Sequence, residues 1–250
     1  MSSGHNKLGQ SEKGDEEHMA SSYGVEISMD NQVANDLKNN GFKLYAFRAV
    51  EGPKGGKPLV WMSTGNYFAK TNIGWEVGYG AFISAQGLTF NQKATVHSGM
   101  NYDSRTDLPI ELGQKMVVSE VGAVSVVGEG TKDTISIVDR QNQDYICGIS
   151  EYKNGAFNPL CAFPLIAGAT DLITPISKIV LMFATETVRT ATVVERALGP
   201  GIAVDLTRTP NRAVYYDPDP AKGWSADTQG SATPFASDAD MSPLLINPAR

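Results

Sequence analysis

Residues 72–84 read NIGWEVGYGAFIS. At a period of two, Trp75, Val77, Tyr79, Ala81 and Ile83 fall on one side, and Glu76, Gly78, Gly80, Phe82 and Ser84 on the other. Two is the repeat of a strand, because successive Cβ atoms of an extended chain point to opposite faces. One face is aromatic and branched. The other carries Gly78 and Gly80, a bare patch that a facing sheet, a ligand or another copy of the chain can approach closely.

The same rhythm extends outward in both directions. Residues 42–50 (FKLYAFRAV), 59–63, 134–140 (TISIVDR), 144–150 (DYICGIS), 178–185, 188–196, 202–207 and 213–216 read as strands, as does 115–127 (KMVVSEVGAVSVV), with weaker signals at 89–96 and 110–112. Turn-formers punctuate them, as in EGPKGGKP at 51–58. Strands do not alternate with helical patterns, which excludes a doubly wound nucleotide fold. The one helical signal is at residues 31–40, where Asp30 or Asn31 can cap, Val33 and Leu37 lie four apart and Asn40-Gly41 supplies a stop. The prediction is an all-β chain: an antiparallel β-sandwich of Greek-key or jelly-roll type, with at most one short helix near residues 31–40.

Composition divides the chain into three parts. Residues 1–22 are polar and read as a disordered leader or tag, with His18-Met19 as a candidate cloning junction. Residues 23–216 carry the strand signals of a single β-sandwich domain, a length compatible with one large all-β unit. Residues 217–250 hold five prolines among Ser, Ala and Asp, and read as an extended arm whose apolar tip, Leu244-Leu245-Ile246, docks on the domain or on a neighbour.

Bulk chemistry excludes several functions. The net charge of −6, without a Lys/Arg cluster, excludes a nucleic-acid partner. No apolar run reaches the ~18–20 residues of a transmembrane helix, and no signal peptide is visible, so the expected location is cytoplasmic, or outside the cell by a route without a classical signal. Two cysteines, Cys147 and Cys161, suit a reducing compartment, with a single bridge between them as the alternative. His5, His18 and His97 are the only histidines, so nucleophilic triads would rest on His97, in KATVHSGMNYDS, and zinc lacks its ligand spacing. GPKGGK at 52–57 has the wrong length for a phosphate loop. Asp217/Asp219 and Asp238/Asp240 have spacing that can serve calcium, but Pro-flanked acids also suit solvated loops. Glu76, Glu111, Glu120, Asp139, Glu195 and Asp205 lie on or near strands without forming a recognisable glycosidase pair. The reading assigns no catalytic residue, no metal ligand and no cofactor.

Aromatic residues carry the remaining signal. Amphipathic rings with a polar end suit stacking on a sugar or a lipid headgroup. Trp61 and Trp75 sit in apolar strand patterns and read as core. Trp224, Tyr215 and Tyr216, with the bare patch of Gly78 and Gly80, are the candidate ligand-binding residues. The expected function is a non-enzymatic, lectin-like protein that binds a glycan or membrane surface. The first alternative is a self-assembling structural subunit, a homo-oligomer or filament whose terminal segments (residues 25–29 or 217–250) cover a neighbour's strand edges. The second is a β-pore-forming protein using hairpins at 117–138 and 179–194.

Overall fold

The computed structural model describes residues 22–84, 108–153, 155–226 and 230–248. The leader and the candidate strand at 89–96, with all three histidines, lie outside them. The elements in chain order are β1 (Ser22–Ser28), α1 (Asn31–Asn39), β2 (Lys43–Glu51), β3 (Lys57–Pro58), β4 (Met62–Thr64), β5 (Lys70–Glu76), β6 (Tyr79–Ser84), β7 (Leu108–Ile110), β8 (Lys115–Val118), β9 (Val124–Val127) and β10 (Ile135–Asp139), followed by β11 (Tyr145–Lys153), β12 (Ala156–Pro159), β13 (Cys161–Leu165), β14 (Thr170–Ala184), β15 (Gly201–Asp205), β16 (Asn211–Tyr216), β17 (Trp224–Ala226), β18 (Ala232–Phe235) and α2 (Ser242–Leu245). The architecture is all-β and sandwich-like.

The strands form three sheets. The first runs β17-β16-β1-β5; the second runs β18-β15-β14-β10-β8-β9, with β2 joined to β14 and β4 to β2; the third runs β3-β13-β11-β6-β7, with β12 on β11. The first sheet packs its inner face, Val25, Ile27, Ile73, Trp75 and Val214, onto the second, which answers with Leu44, Ala46, Leu181 and Phe183. The other face of β2 and β14, with Tyr45, Phe47, Val180 and Met182, is covered by Val194, Ala197, Met241 and Leu245. β2 is thus buried on both sides. That explains why residues 44–50 are a nearly continuous apolar run rather than an alternating one.

Five expectations need correction. The pairing is not purely antiparallel: β1 runs parallel to β16 and β8 parallel to β10. Parallel neighbours need a return path between them: β1 and β16 are separated by most of the chain, and β9 runs back along β8 before β10 starts beside the beginning of β8. A second, one-turn helix, α2, begins with proline in its first turn, where the missing N–H costs nothing. Residues 188–196 form no strand; backbone pairing there is limited to isolated bridges such as Leu59 with Val193, and the segment serves as a strap over β2 and β14. Neither proposed membrane hairpin exists. β8 turns tightly into β9 through residues 119–123, and β10 pairs on the opposite edge of β8. β14 pairs with β15 and β2, not with residues 188–194.

The fifth correction concerns the termini. Residues 217–250 are no extended arm: β17 pairs with β16, β18 with β15, and Leu245 is fully buried. Pro234 sits opposite Ile202 on the outermost strand of its sheet, where a missing donor faces away from the ladder. Residues 25–28 belong to β1, held between β16 and β5 of their own chain.

Candidate functional site

The nominated residues part company in the structure. Trp224 is core, 3% exposed, stacked on Phe183 at 5.4 Å and 11°, with its indole N–H donating to the Pro200 carbonyl at 3.1 Å. Tyr216 tilts against both rings, 4.9 Å from Trp224 and 5.0 Å from Phe183. Gly78 and Gly80 do not await a ligand. A Cβ at Gly80 would meet Ser150 Oγ at 2.6 Å and Phe157 at 2.9 Å, and Gly78 lies under Tyr152. The β11–β12 hairpin of the same chain fills the bare patch. Tyr215 alone stays on the surface, 38% exposed.

Tyr215 opens onto a face the sequence did not announce. In the first sheet, the register sets Asn211 beside Gly24 and Gly24 beside Gly74; the next outward row is Ala213, Glu26 and Asn72; the next is Tyr215, Ser28 and Lys70. Ser225 extends that last row. The inward positions between them make the core, so these side chains all stand on the outer face. Gly24, Glu26, Asn72, Asn211, Arg212 and Ala213 line a shallow dish of about 330 Å³. Its floor is made of residues with little or no side chain. The Asn211 amide lies across Gly24, where a Cβ would come within 2.7 Å of its Oδ1. Glu26 accepts from Lys70 at 3.1 Å, and Arg212 donates its Nε to the Asp205 carbonyl at 2.7 Å. What the dish offers is exposed amides, a carboxylate already paired with a lysine, and an aromatic ring one row away.

Gly74 is the informative residue. Its backbone is not left-handed, and among the described residues the only atom an added Cβ would approach is the Tyr23 carbonyl oxygen, at an ordinary 3.7 Å. The Gly74 carbonyl accepts from Lys153, a contact any residue's backbone could make, so none of the described contacts requires glycine at that position. Glycine in a strand is destabilising by roughly 0.5–1 kcal/mol relative to alanine.

Most of the acidic candidates take structural roles. Asp139 accepts the Gln141 and Gly168 backbone N–H groups, and Asp205 accepts that of Thr207. Glu195 pairs with Lys57. Asp217 accepts the Asp219 N–H and pairs with Lys222 at 3.1 Å, which together hold its carboxyl below the usual range. Asp238 is clamped by Arg196 through two contacts of 3.1 and 2.8 Å, and Asp240 caps Ser242. Among the described residues, no group of three or more His, Cys, Asp or Glu side chains is placed to hold a metal ion. Cys147 and Cys161 are free and buried; Cys147 donates to Asp171 at 3.3 Å, and burial pushes the Cys161 thiol up to about 12.

One group escaped the sequence reading. Arg48 of β2 and Glu151 of β11 form a fully buried ion pair at 3.6 Å, joining the second sheet to the third. The guanidinium carbon lies 4.1 Å from the Trp75 ring centroid and 5.6 Å from that of Trp61. Burial pushes the Glu151 carboxyl up, against the opposing pull of Arg48 and Lys153. The sequence signal was a lone arginine inside FKLYAFRAV; its partner, 103 positions downstream in this numbering, carries none. The pair is sealed from solvent, so it reaches no substrate and acts through the packing of the sheets.

Set beside known protein families, curated proteins and solved structures, the chain matches none of them.

Proposed function

We propose that the protein is a non-enzymatic glycan-binding protein and that the outer face of the β17-β16-β1-β5 sheet is its binding surface. The observation that carries this is the exposed, side-chain-free Gly74 beside the dish, whose lining includes the small Ala213 and the polar Asn72, Asn211 and Glu26, with Tyr215 flanking it. Hydroxyl-rich ligands need donors and acceptors in alternation. An amide supplies both, a carboxylate supplies acceptors, and an exposed ring supplies a surface for the C–H face of a sugar. Small residues let that ligand come close to the sheet. The glycan reading is favoured over the lipid one because the residues lining the dish are Gly24, Glu26, Asn72, Asn211, Arg212 and Ala213, with no large apolar side chain among them, whereas membrane-binding surfaces are contiguous apolar patches. The self-assembly alternative loses its basis, since both terminal segments are paired within their own chain.

The test is a broad glycan array followed by calorimetry on the native protein and on Gly74→Val and Asn72→Ala. The expected result is binding by the native chain, at least tenfold weaker in both variants, with thermal stability unchanged or raised in Gly74→Val. Equal binding by all three proteins would remove this face from the function.

A further inference from the structure

The dish is only the deepest point of a longer polar surface, and its shape and charge narrow the class of ligand. Outward residues recur every second position along a strand, about 6.6–6.8 Å apart. The rows from Ser22–Glu76, through Asn211–Gly24–Gly74 and Ala213–Glu26–Asn72, to Tyr215–Ser28–Lys70 therefore span about 20 Å along the strands. The three strands cross this over about 10 Å. The result is a strip considerably longer than one sugar ring. It is not enclosed: the dish is open, with Asn72, Asn211 and Gly74 all exposed. Small-ligand sites reach useful affinity by burying most of the ligand in a cleft. An open strip buries only one side of each ring, so affinity has to accumulate over several rings in succession.

Charge sets the second limit. The strip holds Glu26 and Glu76 against Lys70, and Lys70 is already paired with Glu26. Arg212, at the edge of the dish, donates its Nε to the Asp205 carbonyl and keeps its charge, and Lys153 donates to the Gly74 carbonyl. The whole chain carries −6. Among the described residues a sulfated or uronate-rich chain would meet scattered single cations set against Glu26 and Glu76, not a continuous cationic track, and would approach a protein of its own sign.

Resting on the glycan reading above, we infer that the ligand is a neutral oligosaccharide of several units, laid along the strands from Gly74 towards Tyr215, and not a single terminal sugar or an anionic glycan. The experiment is titration calorimetry of the full chain with neutral ladders of one to six units of glucose, xylose, mannose and N-acetylglucosamine, alongside a heparin-derived hexasaccharide, each at low and high salt. The expected result is that one neutral ladder binds, with affinity rising at least tenfold from the disaccharide to the hexasaccharide, little salt dependence, and no binding of the heparin fragment. Tyr215→Ala is expected to flatten that rise, because it removes one end of the strip. A monosaccharide that binds as tightly as its hexasaccharide overturns the extended-chain inference and leaves glycan binding standing. Tighter, salt-sensitive binding of the heparin fragment overturns the neutrality. Silence from every ladder and from heparin overturns both this inference and the glycan reading.

Discussion

Trp224 separates a surface reading of this chain from a packing one. It was the tryptophan best placed by sequence for a binding loop, yet its ring lies between the sheets, stacked on Phe183 and against Tyr216, with its N–H bound to the Pro200 carbonyl. Replacing a buried Trp by Ala costs about 3–5 kcal/mol from lost transfer and the cavity left behind. The two aromatic contacts and the orphaned Pro200 carbonyl place this site towards the upper end of that range. For a chain of this size ~1 kcal/mol moves the melting temperature by about 2–4 °C, so a loss of about 4–5 kcal/mol in Trp224→Ala is expected to lower it by about 8–20 °C. With a urea slope of about 3 kcal/mol/M, the midpoint falls by roughly 1.3–1.7 M. Trp224→Phe keeps the stacking but not the donor, and should lose only about 1–2 kcal/mol. The assay is paired urea and thermal melts, with glycan binding measured on the fully folded fraction at low temperature, where it should be unchanged. An unshifted melt together with lost binding would refute the packing argument and restore Trp224 to the surface.

Two further expectations follow from the core. Gly148 has no room for a methyl group: a Cβ there would sit 2.2 Å from the Cys161 carbonyl oxygen and 2.5 Å from Phe82. Because the first obstacle is backbone, Gly148→Ala should destabilise by about 3 kcal/mol or more, read as a fall in the urea midpoint or in soluble yield; a loss below about 0.5 kcal/mol would show that the β11–β13 pair can yield. Cys147 and Cys161, buried and with raised thiol pKa values, should resist a disulfide reagent in the native protein at neutral pH and react together on unfolding; one fast-reacting thiol in the folded state would contradict their placement.

Legibility followed local chemistry. Residues 42–50, 134–140, 144–150, 202–207 and 213–216 were readable as strands because an alternating or continuous β-branched run survives in one segment without reference to its partners. Residues 188–196 were misread for the same reason. Their Val and Thr content fits any half-buried surface, and the segment does pack on β2 and β14, but Ala191 takes φ 69°, which breaks an extended ladder. The prolines of 217–250 concealed β17, β18 and α2, since proline is excluded from central strands but accepted on edges and in first helical turns. Tyr215 and Tyr216 are adjacent, so alternation guaranteed that one would face out. Only the assembled sheet shows which.

The proposed binding face was not legible because no single strand contains it. β1, β5 and β16 are separated by dozens of residues, and their register alone brings Gly24, Gly74 and Ala213 together. Folding constrains the inward positions of these strands: Val25, Ile27, Ile73 and Val214 are buried and apolar, and substitutions there would open cavities. It places no such demand on the outward ones. A sequence shaped by stability alone would set β-branched or long polar residues at those outward positions, because they gain strand propensity at no packing cost. Gly74 forgoes that gain in an ordinary backbone conformation, where a Cβ would meet only an ordinary contact among the described residues. Gly24 differs, since the Asn211 amide occupies the space its side chain would take. One glycine is therefore explained by the fold and the other is not. A residue that costs stability, and whose described contacts are all made by its backbone, is the pattern expected where something external must approach the sheet. A Gly74→Val protein that melts higher and binds its glycan less would show both halves of that exchange in one variant.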